Sequence, residues 1–312
     1  MLSEFDLIFA VALVISWTCG TVLNSSIVAV YLSDWKKGLN LGACDQIILT
    51  MGCNNLLLQW FLTLNLIFVV YGLYSLLAKV LLVAVVSLVL NFGIAFSFWL
   101  TAWLSSYYCV KLVNFSNRFF IRLKREASGV VTYCLLGTAV ILFSTRLPII
   151  WSVQITTDQN LTRISNVLYD NIVHLSFNTI FIYFLPTIIT SFCIGLSLMS
   201  LLKHVRKMKQ NTSQFWNPQL KSHIKACRTM FLLLTVNVIF FLSISIFSML
   251  FSKTEGTGQY VTRFIMLLNP SSQAIILLFG TSRLATAWSK VLFSNYYNVL
   301  LYWTQSDVPS ET

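Results

Sequence analysis

Between Phe5 and Gly280 the chain returns seven times to a mostly apolar run long enough to cross a lipid bilayer. An α-helix rises about 1.5 Å per residue, so about 20 apolar residues span the hydrocarbon core. The runs fall at roughly 5–31, 45–71, 78–110, 128–151, 174–202, 226–251 and 260–280. Hydrocarbon offers the backbone no hydrogen-bond partner, so each run must fold as a helix that satisfies its own amides. The expected fold class is therefore an all-α membrane protein, a seven-transmembrane helix bundle. Composition agrees, because only 10% of the 312 residues are charged where a soluble domain carries about 25%.

The runs divide the chain into a spanning domain over 1–281 and a tail over 282–312 with room for a short amphipathic helix. Glu4 and Asp6 precede the first run, with no basic leader, so it reads as a spanning helix and not as a cleaved signal peptide. Pro186 and Pro270 lie inside the fifth and seventh runs and predict kinks there.

Charge orients the bundle. Five of the 21 Lys and Arg residues, namely Lys79, Arg146, Arg163, Lys253 and Arg263, fall on one side, and the other sixteen fall on the opposite side. Basic loops translocate poorly, so the basic side is expected in the cytosol, with the N-terminus outside and the C-terminus inside. The same bias accounts for the net charge of +11, and no nucleic-acid partner is expected. A sequon at Asn160-Leu161-Thr162 falls in the second outside loop and makes Asn160 the candidate glycosylation site. The seven cysteines lie in the runs or at their inner ends, and no structural disulfide is expected.

Reactive chemistry is scarce. No carboxylates pair across the runs, no H-E-x-x-H occurs, and His174, His204 and His223 sit at membrane edges or in loops. No metal, cofactor or enzymatic activity is expected. Asp45 reads as a cap at the inner end of the second helix. An ion carrier needs several intramembrane charges, and the runs offer Asp45 and Arg263. These features point to a signal-transducing receptor, with a multispan small-molecule transporter or channel as the alternative.

Local motifs sharpen this reading. The stretch "WLTAWLSSYYCVKLVNFSNRFFIRLKR", 99–125, resembles the end of helix 3 and the second inner loop of type 2 (bitter) taste receptors, through Trp99, Leu100, Leu104, Tyr108, Lys111, Asn114, Phe115, Ser116, Phe120, Leu123 and Lys124. Pro186, Ser191, Ser200, Leu201, Lys203, His204 and Met208 match the family's helix 5, and Lys221, His223, Ala226 and Thr229 match the next inner loop. Gly20 and Asn24 match helix 1, and Pro270, Ser271 and Gly280 match helix 7. Departures fall inside the bundle. Asn54-Asn55 replaces the usual Ser-Arg, Asn237 a Tyr, Gln273-Ala274 a His-Ser, and Leu90 and Ile94 a Trp and an Asn. The chain resembles a divergent member of the family.

The resemblance implies a plasma-membrane receptor for bitter small molecules. Its agonist pocket is expected in the outer half of the bundle, lined by Leu90, Ile94, Asn178, Ile182, Asn237, Phe240, Ile244 and Arg263, with Trp60 and Asn65 as weaker candidates. Arg263 either reads an anionic ligand or snorkels to the headgroups. Asn178 and Asn237 either orient ligand or bond a neighbouring helix. Asn24 and Asn55 are expected in an interhelical polar cluster. The inner face would meet a heterotrimeric G protein, gustducin or another inhibitory type, through Lys111, Arg122, Lys124, Lys203, His204, Arg206, Lys207 and His223. Part of that basic cluster also serves as an anchor to anionic membrane lipid. The resemblance leaves room for a receptor oligomer.

Overall fold

The structure is a computed structural model and describes residues 4–70, 80–113, 127–148, 153–158, 161–166, 176–177, 179–210, 218–251 and 257–290. Seven long helices run through it: α1 Glu4–Lys36, α2 Ala43–Val70, α3 Val80–Leu112, α4 Ala127–Arg146, α5 Leu185–Gln210, α6 Pro218–Phe251 and α7 Thr257–Gly280. A short helix, α8, covers Ser282–Lys290 and leaves the Phe264–Gly280 segment of α7 at 93°. Among the described residues six helices are long and apolar enough to cross a membrane by themselves, and the count reaches seven if the bent pair of α7 and α8 is taken as one span.

The helix ends depart from the apolar runs for local reasons. α1 and α5 continue past the hydrocarbon-length stretch into Lys36 and Gln210. Basic side chains at a helix C-terminus complement its dipole, so the polar turn extends the helix and does not end it. α6 begins at Pro218, where a missing N–H costs nothing. α4 stops at Arg146, short of the expected 151, because Pro148 disfavours helical geometry at the residue before it.

Two features were not visible as periodicity. The expected outside loop contains an antiparallel hairpin, β1 Val153–Asp158 on β2 Leu161–Asn166, with Val153 opposite Asn166 and Asp158 opposite Leu161. Both strands carry β-branched residues, which suit a pleated surface. Asn160, the candidate sequon residue, lies outside the described residues. Upstream of α5, Ile180–Phe184 forms a π-helical turn, closed by the Leu185 N–H on the Ile180 carbonyl. Pro186 cannot donate a backbone hydrogen bond, and the widened turn accommodates that gap.

α3 is the central strut and packs on α2, α4, α5 and α6, while α7 packs on α1, α2 and α6. The main apolar core joins Ile27, Tyr31, Ile47, Met51, Leu100, Leu104, Leu233 and Leu277. Large apolar side chains also cover the outside, among them Val140 at 65% exposure, Phe192 at 67% and Phe279 at 75%. Such a surface suits lipid and not water. Most of the described Lys and Arg residues stand at the end where α1, α3, α5 and α7 finish and α6 begins, the basic end. Arg146 on α4, Arg163 on β2 and Arg263 near the start of α7 lie toward the opposite, hairpin end.

Candidate functional site: a polar floor and a charged end

Ser97, Ile94 and Leu90 lie three and four residues apart on one face of α3, and Asn237, Phe240 and Ile244 do the same on α6. On each helix the polar residue is nearest the bundle centre and the apolar ones stand toward the hairpin end. The polar residues meet. Asn237 Nδ2 donates to Thr101 Oγ1 at 2.9 Å, and the Thr101 hydroxyl donates to the Ser97 carbonyl at 3.1 Å. Gln273 of α7 closes the network, its Nε2 lying 2.9 Å from Asn237 Oδ1, 2.9 Å from Ser97 Oγ and 3.1 Å from Asn269 Oδ1. The Ser97 hydroxyl can return a proton to Gln273 Oε1 at 3.3 Å. All five side chains are buried. Removed from water, such groups bind one another strongly because nothing else can satisfy them.

The apolar candidates divide between two clusters. Leu90 packs with Leu58, Leu62, Leu66, Val86 and Leu267, with Ile94 against them, so this pair faces α2 and α7. Ile182 belongs to the main core instead. Phe240 is buried and Ile244 half-buried. Trp60 is 46% exposed and meets Trp17 edge-on at 4.9 Å. It lines a groove of about 260 Å³ between α1 and α2, with Leu13, Val14, Trp17, Thr63, Leu64 and Ile67. Trp60 is therefore on the outer side of the bundle, away from the amide network. Asn65 is half-buried on α2. Asn178 and the side chain of Arg263 lie outside the described residues.

The π turn adds aromatic contacts that periodicity missed. Tyr183 stands 5.0 Å from Phe98 and 4.7 Å from Phe241, and Phe181 stands 5.4 Å from Trp99. Inserting one residue into the turn rotates the residues before it by about 100° relative to the body of α5. A uniform 3.6-residue pattern cannot show which aromatics then face α3 and α6.

A second polar seam joins α1, α2 and α7. Asn24 Nδ2 donates to the Gly20 carbonyl at 2.9 Å and the Pro270 carbonyl at 3.2 Å. Gln59 Nε2 reaches the Ser16 carbonyl at 3.3 Å. Asn24 thus bonds across helices as expected, but Asn55 does not, because its buried amide N and O both lack partners among the described residues. Asn54 takes the interhelical role, donating to the Gly93 carbonyl at 3.0 Å.

At the basic end, Lys203 and Arg206 are exposed on α5, His223 is half-buried on α6, and Lys111 sits 5.8 Å from the centre of the Tyr107 ring. Arg122 and Lys124 lie outside the described residues, as do the side chains of His204 and Lys207. Asp45 corrects the sequence reading. It stands in the first turn of α2, but its carboxylate is spent on Arg283 of α8 at 2.7 Å. Asp34 of α1 holds the other side of the same guanidinium at 2.6 Å. The sequence signal was two acids in a basic segment, and nothing local named their partner.

Known proteins give the context for these sites. A family model described as "Taste receptor protein (TAS2R)" matches residues 1–295. The human "Putative taste receptor type 2 member 33" is 29% identical over 316 residues, covering 99% of each chain. "Taste receptor type 2 member 43" of Papio hamadryas is 29% identical, covering 96% of this chain and 97% of its own. "Taste receptor type 2 member 30" of Pongo pygmaeus is 30% identical, covering 95% and 94%. The match extends through the amide network and the Arg283 pair, and the chain belongs to the type 2 taste receptor family: a multi-pass plasma-membrane receptor, not an enzyme.

Proposed function

We propose that this receptor binds bitter small molecules in the hairpin-end half of the bundle, between α2, α3, α5, α6 and α7. The observation that carries the reading is the buried amide network of Ser97, Thr101, Asn237, Asn269 and Gln273. It forms a polar floor beneath Leu90, Ile94, Phe240 and Ile244. A few oriented polar groups under apolar walls are what a small-molecule site requires. Gln273 is the hub, because its two N–H protons face three acceptors. A ligand group that takes one of them redistributes the others between α3, α6 and α7.

The hairpin end is then extracellular and the basic end cytosolic, as the distribution of Lys and Arg supports. An agonist that prefers the active arrangement shifts the equilibrium by its difference in affinity for the two states. The basic end opens and an inhibitory-type G protein such as gustducin docks there, after which phospholipase C raises cytosolic calcium. Lys111, Lys203, Arg206 and His223 border that docking face, with Arg122, Lys124, His204 and Lys207 assigned to it by the family resemblance.

The test is a panel of several hundred tastants applied to cells expressing the receptor with individual Gα subunits, read as G-protein dissociation. Arg263→Ala is expected to weaken anionic agonists at least about tenfold more than neutral ones, as loss of a charge-assisted hydrogen bond predicts. Equal weakening of both would remove ligand-charge reading from Arg263. Substrate flux through the purified protein in liposomes would favour the transporter class instead.

A further inference from the structure

Two of the chain's ten acidic residues, Asp34 and Asp45, stand at the basic end, and one arginine holds both. Arg283 Nη2 donates to Asp34 Oδ2 at 2.6 Å and Nη1 donates to Asp45 Oδ2 at 2.7 Å. The guanidinium carbon lies 5.4 Å from the centre of the Tyr31 ring, which is fully buried beneath it. The planar fork of an arginine can serve two carboxylates and a ring face together, where the point charge of a lysine cannot. The three charged residues come from three elements: Asp34 from the last turn of α1, Asp45 from the first turn of α2, and Arg283 from the start of α8.

Position makes this more than a surface pair. Arg283 lies directly after the 93° bend between α7 and α8. Seven residues before Gly280, two turns up the same helix, stands Gln273 of the amide network. Gly280 itself lies against α6, so close that a Cβ there would fall 2.5 Å from Thr229 Oγ1. The bend is therefore where α7, tied to the polar floor at one end, meets α6 on one side and the charged clamp on the other. A shift of α7 along its axis or about the bend would therefore load the two ion pairs that hold Arg283.

We propose that Arg283 is a positioning residue for signalling: a latch that holds the α7–α8 bend to α1 and α2 and resists opening of the basic end. The proposal rests on the reading that this end receives the G protein.

The test uses the full-length receptor at matched surface density. Arg283→Gln is expected to raise agonist-independent recruitment of an engineered Gα subunit at least about threefold, as removal of a bias toward the closed state predicts. In purified receptor in nanodiscs, amide hydrogen exchange over 282–290 is expected to quicken at least about tenfold. The exchanged pair Asp34→Arg/Arg283→Asp restores one arginine between two aspartates and is expected to bring both readouts back toward wild type. A role in packing alone is not rescued by exchanging charges. Unchanged exchange in Arg283→Gln, or no recovery in the exchanged pair, overturns the latch. Faster exchange with unchanged recruitment reduces the clamp to architecture and overturns its signalling role. No recruitment by any form, even with tastants present, argues against coupling itself and takes the latch with it. Should Arg283→Gln fail to reach the surface, Asp34→Asn removes one of the two bridges and carries the same expectations.

Discussion

Gln273 Nε2 has two protons and three acceptors, so removing one partner alters the bonding of the others. Asn237→Leu and Gln273→Leu should each lower thermal stability by about 1–3 kcal/mol, because the first takes the amide donor from buried Thr101 Oγ1 and the second leaves buried Asn237 Oδ1 without its donor. In the double variant no Asn237 Oδ1 remains to lose its donor, so the combined loss should fall short of the sum by about 0.5–3 kcal/mol. Strict additivity in unfolding of the purified receptor would show that the two amides act separately. Asn55 is the opposite case, since its buried amide lacks any partner among the described residues. Asn55→Leu keeps a similar volume and should raise the stability by about 1 kcal/mol or more, and a lower unfolding midpoint would contradict this. Both asparagines were legible as polar residues within apolar runs. Which of them found a partner was not, because composition does not reveal what faces a side chain from another helix.

At the scale of elements, close approach between helices depends on residues that have almost no side chain. A Cβ on Gly280 would sit 2.5 Å from Thr229 Oγ1 and 2.8 Å from its Cγ2. Thr229 is β-branched and stiff at χ1, so it cannot easily turn aside. Gly280→Ala should therefore push α7 from α6 and cost about 1–3 kcal/mol. Adding Thr229→Ala should recover most of that loss, and a double variant as unstable as Gly280→Ala alone would rule out this contact as the cause. The seven spans themselves were legible, since helix formation within hydrocarbon is dictated locally. The π turn at Ile180–Phe184 and the hairpin at Val153–Asp158 and Leu161–Asn166 were not. The turn is one extra residue in an otherwise regular repeat. The strands are too short to stand out from the polar loop that contains them.

Sixteen of the 21 Lys and Arg residues fall on one side of the apolar runs, and the function proposed for that end can be tested by reversing part of that charge. Lys203→Glu, Arg206→Glu and Lys207→Glu together should lower G-protein activation at least about tenfold while tastant binding and surface expression persist, since charge reversal at an interface sets like against like. Normal activation at normal surface levels would leave the stretch as a lipid anchor only. Three properties were determined by the sequence alone: the helical class, the basic end and the family. Each is a sum over many residues, whether hydropathy along a run, charge across loops or motif matches along the chain, and no single placement can undo such a sum. Only the tertiary structure decided which polar groups meet. Arg283 is 249 residues from Asp34 and 238 from Asp45, and Gln273 is 176 from Ser97. Those pairings depend on the rotation and depth at which one helix packs on another. A difference of one residue in that register moves a side chain by about 100° around its helix, enough to turn it from the bundle centre toward lipid.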